Sequence, residues 1–311
     1  MTRVLVTGGA GYVGSVLVPK LLARNYRVRV LDNMMYHQTS LIPFCIHDGL
    51  EFIRGDIRDE AVVKEALQGV DVIVHLAAIV GAPACAKDEQ LADSVNYQAT
   101  VLIDRLRDRS QGFVMASTGS NYGTVDHVCT EETPLQPLSV YGVTKTKAEE
   151  RLLESGNAVV YRFATAFGLS PRLRLDLLIN DFVFQAVRNR QLIVYEKGFR
   201  RTFIHVHDMG RSFIHAIENY CGMRGSVYNV GHESLNFNKE DVALAIKRKI
   251  DYHLHFADIG SDPDKRDYEV SYEKIRATGF ETEIDMENGL NELIKGYQMI
   301  TLQNPYSNVE S

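Results

Sequence analysis

The octapeptide Thr7-Gly8-Gly9-Ala10-Gly11-Tyr12-Val13-Gly14 follows an apolar run, Arg3–Thr7, and opens a stretch of helical period, Ser15–Arg24. Glycines let a chain turn tightly and bring its backbone against a pyrophosphate. The helix start beyond them offers free N–H groups and a favourable dipole to the anion. A glycine triplet alone is a weak signal. With a strand before it and a helix after it, the setting is that of a dinucleotide-binding βαβ unit.

Outward from this turn, apolar runs recur at Arg27–Leu31, Leu50–Ile53, Val72–Leu76, Gly112–Ala116 and Ala158–Phe163. Helical stretches lie between them, at Ala61–Leu67 and Asn96–Leu106. The runs are nearly all apolar rather than alternating, as expected of strands covered on both faces. The expected fold is α/β, a Rossmann-like doubly wound parallel sheet. After Gly168 the alternation loosens, while Thr202–Val206 and Val227–Val230 read as strands returning to the sheet. This predicts an NAD-binding domain of residues 1–168 and about 202–235. A smaller discontinuous C-terminal substrate lobe takes about 169–201 and 236–302, and 303–311 form a polar tail.

In the first unit, Gly8, Gly11, Tyr12, Val13 and Gly14 are the expected cofactor turn. Asp32 closes the second strand, with Asn33 beside it. A carboxylate there accepts both hydroxyls of an adenosine ribose and repels a 2′-phosphate, which favours NAD over NADP. Asp56-Ile57 and Leu76-Ala77-Ala78 end the third and fourth strands. Carboxyl ends of strands are where open parallel sheets bind ligands, although each of these positions also reads as an ordinary turn.

Tyr141 and Lys145 stand four residues apart in a stretch, Thr144–Leu153, of good helix formers. On a helix they share a face. A nearby ammonium favours phenolate over phenol, so such a tyrosine can exchange the proton of a carbinol while hydride moves to a nicotinamide. Thr118 ends the fifth strand, where a hydroxyl can orient a substrate oxygen. Ser117 competes with it, and neighbours on a strand point to opposite faces.

The chain has 311 residues, 45% hydrophobic and 24% charged, and a net charge of -6. The acidic balance argues against a nucleic-acid partner. No signal peptide is read at the N-terminus, and Val72–Ala84, the longest nearly uncharged run, is too short to span a bilayer. Cysteines at 45, 85, 129 and 221 lack metal or redox spacing. They are expected to be reduced and mostly buried in a cytoplasmic protein, without membrane partners.

Together these features resemble the extended short-chain dehydrogenases/reductases, in particular the NAD-dependent epimerase/dehydratase family of nucleotide-sugar enzymes. The landmarks are TGGAGYVG at 7–14, Asp32-Asn33, Gly55-Asp56-Ile57, HLAA at 75–78, Asn96, STGSNYG at 117–123, YGVTK at 141–145 and RRTFIHVHD at 200–208. The resemblance implies NAD as cofactor, Thr118, Tyr141 and Lys145 as catalytic groups, a nucleotide-diphosphate sugar as substrate and a homodimer formed through helices near Leu91–Arg107 and Lys145–Ser155. It selects Thr118 over Ser117. Two departures stand out. Thr165-Ala166-Phe167-Gly168 replaces a motif that often carries asparagine, so Thr165 is the expected substrate contact there. Gly119-Ser120 occupies the positions where sugar 4,6-dehydratases carry acids.

Arg172, Arg174, Arg200, Arg201 and Arg266 concentrate in the expected substrate lobe. Guanidinium forks match a diphosphate well, whereas the plain alternative is solvated surface charge. Arg174, Arg201 and Arg266 are the expected diphosphate contacts, the last two by resemblance to the family's pyrophosphate arginines. SPRLRLDLLINDF at 170–182 and DPDKRDYEVS at 262–271 are most similar to bacterial enzymes that modify GDP-heptose, which implies a 4-dehydrogenase. A 4-epimerase uses the same three groups. A non-catalytic NAD-sensing regulator on this fold would not need them. His205 and His207, read as facing opposite sides of a strand, are expected to be packed or hydrogen-bonded, and no metal is expected.

Overall fold

A computed structural model describes residues 1–257 and 269–300. Its strands are, in chain order, β1 (Arg3–Thr7), β2 (Arg27–Asp32), β3 (Leu50–Arg54), β4 (Val72–His75), β5 (Gly112–Thr118), β6 (Val128–Cys129), β7 (Val159–Phe163), β8 (Thr165–Phe167), β9 (Gln191–Tyr195), β10 (Arg200–His205), β11 (Ser226–Val230), β12 (Asn236–Asn238), β13 (His253–Ala257) and β14 (Glu269–Val270). Seven of them form one sheet in the order β11-β7-β5-β4-β1-β2-β3. Every pairing in it is parallel. The order reverses between β1 and β4, and ligands of such sheets bind at that crevice beyond the strands' carboxyl ends.

Period-2 alternation explains why the strands are apolar on both sides. Val4, Val6, Val72 and Val74 enter one core, while Leu5 and Ile73 enter the other. The first core receives helices α1 (Gly14–Ala23) and α8 (Val206–Glu218), through Leu17, Leu21 and Phe213. The second receives α2 (Glu60–Leu67), α5 (Ala99–Leu106) and α6 (Val140–Glu154), through Val63, Ile103 and Leu152. Each such side chain contributes roughly 1.5–3 kcal/mol by full burial.

A third core gathers Phe167, Ile179, Val183, Leu192, Phe203, Val242, Ile246, Leu290 and Leu293. It packs helices Leu178–Arg188, Lys239–Lys247 and Met286–Met299 against the smaller sheets. Here one expectation fails. Val227–Val230 does return to the main sheet, but the strand expected at Thr202–Val206 does not. It becomes β10, between β12 and β8 in a separate three-stranded sheet, and Val206 already starts α8. Phe203 is claimed by the third core, against Phe167, while Ile204 packs into the first core.

The opposite-face placement of His205 and His207 fails with it, while the expectation that they are packed or hydrogen-bonded holds. Residues two apart on a strand share a face, and the strand in any case stops at His205. The His205 and His207 rings stack at 5.5 Å, and His205 Nε2 meets Glu292 Oε2 at 2.8 Å. Of the cysteines, Cys85 and Cys129 are buried, but Cys45 and Cys221 are exposed. Among the described residues no helix is long and apolar enough to cross a membrane.

Candidate active site

The carboxyl ends of β1, β2, β4 and β5 open on a cavity of about 590 Å³. Gly8 sits at φ +69° and a Cβ there would lie 2.7 Å from Ala77 N, so the β1 and β4 turns touch only because residue 8 has no side chain. Gly14 is as tight: its Cβ would fall 2.5 Å from Gly9 Cα. The turn is fixed by Gly8 N–H donating to Leu31 O (2.8 Å) and Gly11 N–H to Gly8 O (3.0 Å). Thr7 and His75 hydrogen-bond at 2.7 Å beneath it. Burial pushes His75 down to about 3, so it serves as a neutral strut between Thr7 and Thr100.

Asp32 is buried at the end of β2. Its carboxylate accepts from Ala10 N–H (3.0 Å), Met34 N–H (2.8 Å) and Gln38 Nε2 (3.3 Å). Burial raises its pKa, and those three donors oppose the rise. A carboxylate has about four acceptor directions, and with three filled one remains for a ribose hydroxyl. Asn33 and Asp56 lie alongside, with Asp56 held by Arg58 at 2.8 and 2.9 Å.

The other wall comes from β5 and α6. Ser139 caps α6 by accepting Gly142 N–H at 3.2 Å, and the helix runs from Val140 rather than Thr144. Tyr141 lies in its first turn and Lys145 one turn on, both lining the cavity. Lys145 is buried, which lowers its pKa to about 8, while Glu149 a further turn along opposes the shift. Thr118 and Ser117 both line the cavity, but their hydroxyls differ in partner. Ser117 Oγ donates to Glu149 Oε2 at 2.7 Å. Among the described residues, Thr118 Oγ1 bonds only with the next turn, Ser120 N and Ser120 Oγ, both at 3.1 Å. That leaves Thr118 as the strand-end hydroxyl on the cavity that Tyr141 and Lys145 also line.

Of the residues expected from sequence, Gly8, Gly11, Tyr12, Val13, Gly14, Asp32, Asn33, Asp56, Ile57, Leu76, Ala77, Ala78, Thr118, Tyr141, Lys145, Thr165 and Arg174 all line this one cavity. Arg201 does not: it is buried on β10, in register with Phe237 of β12. Arg266 lies outside the described residues. Arg174 reaches the cavity with its fork filled, because Asp176 accepts from its Nε at 2.8 Å and Nη2 at 2.6 Å. Arg200 pairs with Glu269 at the exposed surface.

Sequence reasoning missed Tyr36, Gln38 and Ile79 among the lining residues, and the polar network behind α6. There Arg162 Nε donates to Glu149 Oε1 at 2.8 Å and Asn121 Nδ2 to Glu149 Oε2 at 3.1 Å. The available signal was spacing: Tyr141, Lys145 and Glu149 repeat every four residues and mark one helix face.

A parallel sheet with a glycine-rich first turn, a buried carboxylate at the end of its second strand and a Thr–Tyr–Lys wall defines a dinucleotide-dependent enzyme acting on an alcohol or carbonyl. Residues 4–231 match the model of the NAD dependent epimerase/dehydratase family, and the chain belongs to that family. It is 31% identical to a dTDP-glucose 4,6-dehydratase of Streptomyces griseus over 95% of this chain and 94% of that protein. It is 30% identical to the low-salt glycan biosynthesis protein Agl12 of Haloferax volcanii, over 94% and 98%. Its fold superimposes on the Thermus thermophilus UDP-glucose 4-epimerase, solved with NAD, at a TM-score of 0.82 and 25% identity, covering 96% and 99% of the two chains. The cofactor is NAD. The glycine turn, the buried Asp32 and the cradle between Gly8 and Ala77 fit it.

Proposed function

We propose that this enzyme oxidises the C4 carbinol of a nucleotide-linked sugar. One observation carries the reading. Thr118, Tyr141 and Lys145 line a cavity whose lining carboxylates, among the described residues, are Asp32 and Asp56 at the adenosine end. NAD held at the glycine turn would supply the hydride acceptor for C4. The Tyr141 phenolate takes the proton of the C4 hydroxyl as its carbon–oxygen bond becomes a carbonyl. The Lys145 ammonium stabilises that phenolate, and the Thr118 hydroxyl orients the C4 oxygen.

Elimination of water across C5–C6 would need a second base and acid near the sugar. Gly119 has no side chain, and the Ser120 hydroxyl is a poor proton carrier near neutral pH. Asp126 and Glu132 are exposed, and Glu131 accepts Asn229 N–H at 2.7 Å away from the cavity lining. This favours oxidation or epimerisation, even though a 4,6-dehydratase is among the relatives.

Our finer reading is a 4-dehydrogenase of a GDP-heptose-like substrate, supported by the similarity of 170–182 noted above. A 4-epimerase is the second reading, supported by the match to the Thermus thermophilus 4-epimerase. We take the third core to carry the nucleotide end of the substrate, with Arg174 and Arg201 on its borders. The cytoplasm and a homodimer through α5 and α6 complete the reading, the latter checked by light scattering. The deciding experiment incubates the enzyme and NAD with GDP-, UDP-, dTDP-, CDP- and ADP-sugars and reads product mass and NMR. A product lighter by two hydrogens with NADH in step supports the dehydrogenase. An isomer of unchanged mass supports the epimerase. A product lighter by one water overturns both.

A further inference from the structure

The loop from Gly168 to Asp176 is joined to the glycine-rich turn by the turn's own side chains. The Tyr12 hydroxyl donates to Gly168 O at 2.8 Å. Ser170 Oγ donates to Tyr12 O at 2.6 Å and lies 2.8 Å from Ser15 Oγ. Asn180 closes the loop from behind, accepting Gly168 N–H at 2.9 Å and donating to Arg174 O at 3.0 Å. Gly168 makes this possible, since at φ +109° a Cβ there would strike the His205 ring. The loop is thereby held over the N-terminus of α1 and carries two arginines into the cavity wall.

Those two arginines differ. Arg174 is neutralised by Asp176. Arg172 is 2% exposed, and its Nε and Nη2 have no hydrogen-bond partner among the described residues. Nη1 reaches only Leu173 O, at 3.2 Å. Its guanidinium stacks over the Tyr36 ring at 4.3 Å, and Tyr36 belongs to the loop after Asp32. A buried guanidinium with open donors is costly until an anion meets it. Burial, with the neighbouring Arg174, lowers its pKa against the opposing pull of Tyr36, Asp176 and Asp32. Tyr36 and Asp32 put Arg172 on the Asp32 side of the cavity.

We propose that Arg172 is a diphosphate receptor for the cofactor, not for the sugar nucleotide: its open fork meets the pyrophosphate of NAD from the side opposite the α1 N-terminus. The 168–176 loop then acts as a strap that closes the adenosine half of the site. This rests on NAD as cofactor and is independent of the C4 reaction, so either can fail alone.

The test is calorimetric titration of Arg172→Met and Arg172→Lys with NAD, ADP and adenosine, in the absence of any sugar nucleotide. Losing one charge-assisted, bidentate contact should weaken NAD and ADP about ten- to a hundredfold in the methionine variant. Adenosine, which lacks the diphosphate, should change less than twofold. Lysine should restore part of the affinity, as a point charge without the fork. Thermal unfolding of the cofactor-free methionine variant should match or exceed wild type, because an unpartnered buried charge has been removed; a residue that only packs on Tyr36 would instead lower it. GDP and UDP binding at saturating NAD should be unchanged. NAD affinity within twofold of wild type overturns the proposal. So does loss of GDP or UDP binding with NAD unaffected, or a loss confined to NADP, which would assign Arg172 to the substrate or to a 2′-phosphate.

Discussion

Lys145→Met should make the cofactor-free protein more stable at neutral pH while abolishing turnover. Methionine keeps an unbranched chain in the same space and removes the ammonium. Burial holds the Lys145 pKa at about 8 against an ordinary value of 10.5. At about 1.4 kcal/mol per pKa unit, that difference corresponds to about 3 kcal/mol. The folded form is the one with the lowered pKa, so between about pH 8 and 10.5 the unfolded chain binds more protons. Wild-type stability therefore gains from this group as pH rises through that window. The variant has no such gain. Glu149 loses Lys145 as a neighbour but keeps Ser117, Asn121 and Arg162, so its own cost stays small.

Guanidinium titrations at pH 7, 9 and 10 read this directly. The variant should exceed wild type by up to about 3 kcal/mol at pH 7, and the excess should shrink steadily as pH approaches 10.5. A variant less stable than wild type at pH 7, or an excess that does not change with pH, would refute the account of Lys145 as a buried ammonium kept for chemistry at the expense of stability.

Tyr141→Phe should keep the fold and NAD binding but lose at least about a hundredfold in turnover, the scale of a general acid–base; near-normal turnover removes Tyr141 from the reaction. Asp32→Ala should weaken NAD and narrow its advantage over NADP, measured by calorimetry, and wild-type protein binding NADP as well as NAD would contradict the ribose assignment. Arg201→Ala should weaken nucleotide-sugar binding by about 1.5–3 kcal/mol with NAD binding intact. Normal substrate affinity in that variant would mean that Arg201 serves β10 alone.

The main sheet was legible because its central strands are buried on both faces and its first turn is glycine-bound by necessity. Arg3–Thr7, Arg27–Asp32 and Val159–Phe163 fall within a residue of the apolar runs. The placement of Thr202–Val206 was not legible. An apolar strand carries no mark of which sheet it joins, and β10 is directed by contacts with Phe167 and β12, far away in sequence. The helix expected over 96–106 begins as a π-helical turn at Ser94–Gln98. Buried Asn96 sits in that turn, accepting Ile79 N–H at 2.8 Å and donating to Ile79 O at 3.0 Å. In the site, motif positions were readable, but partners were not. Arg172 and Arg174 look alike in sequence; only folding assigns Asp176 to one and leaves the other open.

The same limit explains how the catalytic wall is held. Ser117 and Thr118 are adjacent, and a strand sends their side chains to opposite faces. Thr118 faces the turn at the cavity, whereas Ser117 faces α6 and binds Glu149. Glu149 also binds Arg162 on β7, the next strand of the sheet. One carboxylate therefore ties β5, β7 and α6 together, two turns along the helix from Tyr141. The distance from strand-end hydroxyl to helix phenol is then set by buried, charge-assisted hydrogen bonds rather than by a loop. The charge that fixes this geometry also opposes the burial of Lys145, so structural support and ammonium stabilisation come from a single residue that takes no part in the chemistry.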